Sequence, residues 1–197
     1  MPVPFMVFGY QNNSHRNCGL ISFISLKNSV LSMYSKRRVM LDTNIYGHIC
    51  ELANARDIVF RIANKSVVCG SAVIRKELRN ISKNKKVGST KLRIRALEFY
   101  DILVSDKRNY AVNELIRKIA SEYNLQYAGS IPAKELESDF IIVATASLHG
   151  ADIVVSNDMA TMLSEDSITA YVSVNKKFEI NTPKFLPFEN FINRISK

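Results

Sequence analysis

Hydrophobic residues in this chain arrive either as short unbroken runs or at a spacing of three to four. Val39-Met40-Leu41 is of the first kind, and an unbroken run of this length reads as a strand buried on both faces of a parallel sheet. It stops abruptly at Asp42-Thr43-Asn44, where Thr43 or Asn44 is placed to cap the next helix. Ile45 to Ala63 then predicts one helix or two short ones, with Ile49, Leu52, Ile58, Val59 and Ile62 at helical spacing. Ser66 to Cys69 is a second buried-type strand, broken by Gly70-Ser71. Ser71 caps a helix over Ala72 to Lys83 with the apolar stripe Val73, Ile74, Leu78 and Ile81. Lys83 to Thr90 reads as a loop containing Gly88. Helices follow over Lys91 to Val104 and Asn109 to Tyr123, parted by a polar break. They form an antiparallel pair inserted between core elements, suited to clamp nucleic acid or to pack on a partner chain. Beyond Gly129-Ser130-Ile131-Pro132, Ala133 to His149 predicts a buried helix ended by Gly150. Asp152 to Ser156 is a third buried strand, and a short helix is expected over Met159 to Leu163. Ala170 to Lys177 is weakly patterned, Glu179 to Asn181 predicts an edge strand, and Thr182-Pro183 opens a short closing helix. Strands alternating with helices make this an α/β chain with a mainly parallel sheet.

Residues 1 to 36 are patterned differently. Apolar patches (Pro4 to Phe8, Leu20 to Leu26) alternate with polar stretches such as Gln11-Asn12-Asn13-Ser14. The longest apolar-leaning run, Cys18 to Leu26, is interrupted by Ser22 and Ser25 and is too short to span a bilayer. No basic start precedes it, so a secretory signal is not expected. The expectation is an extension of unclear role ahead of a domain over 37–197, with Met33 as an alternative start, in a cytoplasmic protein that does not engage membranes.

Composition narrows the chemistry. At 197 residues and 47% hydrophobic content, one ordinary domain with some extra is implied. Cys18, Cys50 and Cys69 lie far apart without a C-x-x-C pair, which argues against a disulfide framework or a cysteine-bound zinc. His15, His48 and His149 are equally scattered. Any metal must be held by oxygen, hence magnesium or manganese. The net charge is +9. Nearly all of it sits between residues 75 and 95, where Arg75, Lys76, Arg79, Lys83, Lys85, Lys86, Lys91, Arg93 and Arg95 face the single acid Glu77. A block of one sign favours a polyanionic partner, nucleic acid first.

Four carboxylates recur at matching places. Asp42 stands at the carboxyl end of an inner strand, where open α/β sheets bind ligands. Asp158 repeats that position after Ser156-Asn157. Glu77 lies beside the apolar stripe of its helix, and Asp139 sits early on another, where the helix dipole favours a carboxylate in any case. Two such charges about 4 Å apart repel by roughly 4 kcal/mol at an effective dielectric of 20. A cluster of four would therefore hold protons or a divalent cation. Magnesium keeps several waters and suits a site open to phosphates, and a bound metal activates water and neutralises a phosphodiester under attack.

The stretch from about Val39 to Asn181 resembles the PIN-domain ribonucleases, most of all the VapC-type toxins of prokaryotic toxin–antitoxin pairs. The residues that carry the likeness are Leu41-Asp42-Thr43-Asn44-Ile45, then Glu77 within Val73 to Leu78. They continue with Asp139-Phe140-Ile141-Ile142-Val143-Ala144-Thr145-Ala146, and end with Gly150 to Asp158. The resemblance implies a three-layer α/β/α fold and Mg²⁺- or Mn²⁺-dependent endonucleolytic cleavage of RNA leaving a 5′-phosphate. It makes Asp42, Glu77, Asp139 and Asp158 the acidic metal cluster, with Asp42 and Asp139 foremost as direct ligands. Ser156 stands where a supporting threonine is usual, and Asn44 where a polar side chain steadies the first aspartate. The family also implies a homodimer and, for a toxin, an antitoxin peptide in the groove. Two features depart from a minimal toxin: the first 36 residues, and the long stretch from Glu77 to Asp139. A PIN ribonuclease of RNA processing fits nearly as well. The competing class is a non-catalytic scaffold that holds RNA on the basic surface, although such a scaffold is expected to have lost an acid. A flap-type DNA nuclease would carry more acids than this chain does.

Overall fold

Val39, Met40 and Leu41 are fully shielded from solvent because their strand, β1 (Arg37–Leu41), is central in the sheet and covered by helices on both faces. The computed structural model describes residues 36–196, so the expectations for the N-terminal extension and for Met33 fall outside the described residues. β1 runs parallel to β2 (Ser66–Ser71) on one side and to β6 (Ile153–Val155) on the other. With β5 (Asn109–Tyr110) and β7 (Lys184–Leu186) at the edges, the five-stranded order is β5-β2-β1-β6-β7, parallel throughout. The chain moves outward from β1 in one direction and later returns to build on its other side. The crevice between the carboxyl ends of β1 and β6 is therefore the point where strand order reverses, the usual ligand site of an open α/β sheet.

Parallel strands need crossovers, and right-handed ones put the two halves of the chain on opposite faces. On one face lie α1 (Thr43–Glu51), α2 (Ala55–Lys65), α3 (Ala72–Asn80) and α4 (Leu92–Leu103), with α4 packed on the other three. On the other lie α5 (Glu114–Gln126), α6 (Ala133–Leu148) and α7 (Glu165–Lys177), with α5 packed on α6 and α7. The closing helix, α8 (Phe188–Ile195), rests on α2. This is the expected three-layer α/β/α arrangement. Among the described residues, no helix is long and apolar enough to cross a membrane.

Several local expectations are corrected. Asp42 itself, rather than Thr43 or Asn44, caps α1, because its side chain accepts from the Thr43 amide. Gly70-Ser71 continues β2 instead of breaking it. The Tyr100 ring lies where a Cβ on Gly70 would stand, so only glycine lets the strand run on. The basic segment after α3 is no plain loop but a hairpin of β3 (Lys86–Val87) and β4 (Thr90–Lys91), turning at Gly88 with φ +60°. α4 and α5 do not form a pair packed on each other; each joins a different layer, with β5 and a 3-10 turn (Asp106–Arg108) between them. Met159 to Leu163 forms turns rather than a helix, since Asp158 Oδ1 accepts from the amides of Ala160 and Thr161. The weakly patterned Ala170 to Lys177 belongs to α7. Two polar residues of that helix, Ser167 and Asn175, are fully buried and obscure its apolar face. The edge strand is β7, later than expected, and Pro187 rather than Pro183 precedes the closing helix.

Candidate active site

Asp42 leaves the buried end of β1 only 5% exposed. Its amide donates to Val155 O at 2.8 Å, which extends the β1–β6 pairing and draws the two strand ends together. Its carboxylate is then held from three directions. Oδ1 accepts from the Thr43 amide at 2.6 Å, and Oδ2 accepts from Asn44 Nδ2 at 2.7 Å and Ser156 Oγ at 2.8 Å. Ser156 Oγ accepts in turn from Asn44 Nδ2 and from the Asp158 amide, each at 3.0 Å. The hydroxyl at the end of β6 thus ties both strand-end aspartates to one point. Asn44 closes the ring, its Oδ1 accepting from the Asn157 amide at 3.3 Å.

The two helix acids are positioned by threonines to which the sequence reading gave no role in the site. Thr43 Oγ1 donates to Glu77 Oε2, bridging α1 to α3. Thr161 Oγ1 donates to Asp139 Oδ2 at 2.6 Å, bridging the turn after β6 to α6. Because Asp158 Oδ1 accepts from the Thr161 amide, one turn positions both Asp139 and Asp158. Thr43 was legible in principle, as the middle residue of the Asp-Thr-Asn turn. Thr161 and Asn157 had no signal beyond proximity to Asp158.

Burial pushes the Asp42 carboxyl up to about 7, with Asp139 and Glu77 adding repulsion and the Ser156 hydrogen bond opposing it. Burial likewise raises Asp139 to about 6, against its bond from Thr161 and with Asp158 and Glu77 repelling. The four predicted acids are therefore electrostatic neighbours in one cleft. None of them forms an ion pair with a described residue. Among the described residues, no three acidic, histidine or cysteine side chains draw close enough to hold an ion unaided. A small hard cation that keeps its waters and takes one or two carboxylates directly fits this arrangement. Oxygen-only donors, a buried Asp42 repelled by a half-buried Asp139, and the lack of a cationic partner among the described residues all favour it.

The predicted basic residues divide. Arg75 is committed to Asp101 and lies 5.5 Å from the Tyr100 ring centroid. Arg95 lies over Phe99, and Arg93 reaches back to Arg79 O. Lys83, Lys85, Lys86 and Lys91 are exposed on and beside the β3–β4 hairpin. Lys76 alone of the nine lines the cavity that contains Glu77.

Comparison with protein families matches the PIN domain over residues 39–161, from β1 through the turn that follows Asp158. Among solved structures, the chain is similar to VapBC2 from Rickettsia felis bound to a DNA fragment from their promoter. The identity is 16%, the TM-score 0.49, and the match covers 77% of this chain and 98% of that one. No curated protein matches the sequence.

Proposed function

The chain belongs to the PIN-domain family, and from that premise we propose that it is a divalent-metal-dependent endoribonuclease, of the toxin–antitoxin kind that its motif residues resemble. The observation that carries this reading is the pair of repelling carboxylates, buried Asp42 and half-buried Asp139, without an ion pair to any described residue, at the crevice where strand order reverses. Asp42, Asp139, Glu77 and Asp158 would hold Mg²⁺ or Mn²⁺, which when bound supplies an activated water and charge neutralisation at the scissile phosphate. The chain's own work is orientation. Ser156 and Asn44 fix the Asp42 oxygens, Thr43 holds Glu77 toward them, and Thr161 holds Asp139. Fixing each acid by a hydrogen bond from a different element lowers the reorganisation needed when substrate arrives. The nuclease unit begins at Arg37. RNA is the substrate, a second copy of the chain is the expected dimer partner, and a cognate antitoxin would occupy the cleft.

The test is cleavage of a mixed structured RNA by purified protein with Mg²⁺, Mn²⁺ or EDTA, alongside Asp42→Asn. Metal-dependent products with 5′-phosphate ends, lost in the variant, are expected. Salt-sensitive binding without cleavage, equal in both proteins, would replace the nuclease reading with that of an RNA-binding scaffold. An inactive sample that carries a small second protein would be retested after that protein is removed.

A further inference from the structure

Two cavities extend the acidic cleft to one side. The first, about 600 Å³, starts at Glu77 and at Ser138, the neighbour of Asp139, and is bordered by Lys76, Asn80, Arg117 and Glu137. The second, about 430 Å³, lies between α5 and α6 and is lined by Ala120, Ala133, Phe140 and Ile141, with Asn124 and Lys134 at its rim. Arg117, Glu137 and Ile141 line both, so the two are one groove that leads away from the candidate active site. Lys76 on α3 and Arg117 on α5 border it from opposite sides. Both are exposed, and neither pairs with any described acid.

We propose that this groove is the path of the substrate strand, with Lys76 and Arg117 holding backbone phosphates and the α5–α6 cavity receiving one unstacked base. The proposal rests on the nuclease reading and gives it a direction. Backbone phosphates need donors at the banks, and a single strand leaves its bases free to enter a side pocket. The second cavity suits a base rather than a phosphate. Its lining is mainly apolar, and Asn124 and Glu137 can meet the polar edge of a base, Glu137 by accepting from an exocyclic amine. Arg117 follows none of the motifs in the sequence and lies outside the basic block. The two helices that meet at the groove bring it there.

The experiment is equilibrium binding of a fluorescent single-stranded oligoribonucleotide to the full chain in EDTA, over a series of salt concentrations. Arg117→Ala and Lys76→Ala are each expected to weaken binding about tenfold and to reduce the salt slope by about 0.7, the value for one lost single-strand phosphate contact. Ala133→Trp, which fills the base cavity from its exposed rim, is expected to weaken binding about fivefold with the slope unchanged. Arg61→Ala, on α2 away from both cavities, should behave as wild type. A purely structural effect of Arg117 would lower the melting temperature without moving the slope. Wild-type affinity and slope in both groove variants would overturn the strand path and leave the nuclease reading standing. A wild-type protein that neither binds nor cuts RNA would remove the nuclease reading itself.

Discussion

Asp42 is held by three donors yet is pushed up to about 7, so burial outweighs every bond made to it. The raised value fixes how stability depends on pH. Between the ordinary carboxyl value of 3.8 and about 7, the folded state keeps a proton that the unfolded chain has lost. Stability contributed by that proton is complete below the unfolded value and is lost as pH rises through the folded one. Asp139, raised to about 6, acts in the same direction over a narrower window. Thermal melts of metal-free protein should therefore show stability falling from about pH 4 to about pH 7, and Asp42→Asn should flatten much of that fall. Magnesium binds the charged form, so at about pH 8 it should raise the melting temperature of the wild type and do so less in Asp42→Asn. At about a hundred times its dissociation constant the gain is roughly 2.7 kcal/mol. Ser156→Ala removes a donor that favours the carboxylate, so Asp42 should ionise at higher pH. The acid limb of a pH–rate profile should then move upward.

Single elements carry the acids to the cleft, and their fit can be tested one at a time. A Cβ on Gly70 would lie 2.1 Å from Tyr100 Oη and 2.8 Å from Val104 Cγ1. Tyr100 Oη donates to Asn109 Oδ1 at 2.8 Å and so links α4 to β5. Gly70→Ala should therefore cost about 1–3 kcal/mol by overpacking, read from urea unfolding, and should disturb Ser71, the cap of the helix that carries Glu77. The elements legible in the sequence were those with unbroken or cleanly periodic apolar residues: β1, β2, β6 and α6. The hairpin escaped because each of its strands has two residues, too few to show alternation. α7 escaped because Ser167 and Asn175 sit in its buried face as hydrogen-bonded polar groups. In the candidate site, strand ends pointed to Asp42 and Asp158, and places on predicted helices, together with motif likeness, pointed to Glu77 and Asp139. Thr161 and Arg117 depend on how distant elements meet, which local pattern does not encode.

Across the whole molecule, the layer of α5, α6 and α7 is locked by one buried polar group. Asn175 accepts from Tyr123 Oη, and donates to Ser147 Oγ at 3.1 Å and to Thr182 Oγ1 at 3.0 Å. It thereby joins three helices to the segment that leads into β7. Asn175→Ala should cost about 2–3 kcal/mol in chemical denaturation, because it leaves buried partners unsatisfied. RNA cleavage should be reduced in proportion to the unfolded fraction, without a change in metal requirement. The site depends on the same long-range assembly. Ser156, which steadies Asp42, lies 114 residues further along the chain, and β6 must pair with β1 before the two strand ends meet. During synthesis the first aspartate emerges long before its supporting hydroxyl. An incomplete chain still on the ribosome, with β6 not yet emerged, therefore lacks an assembled cleft.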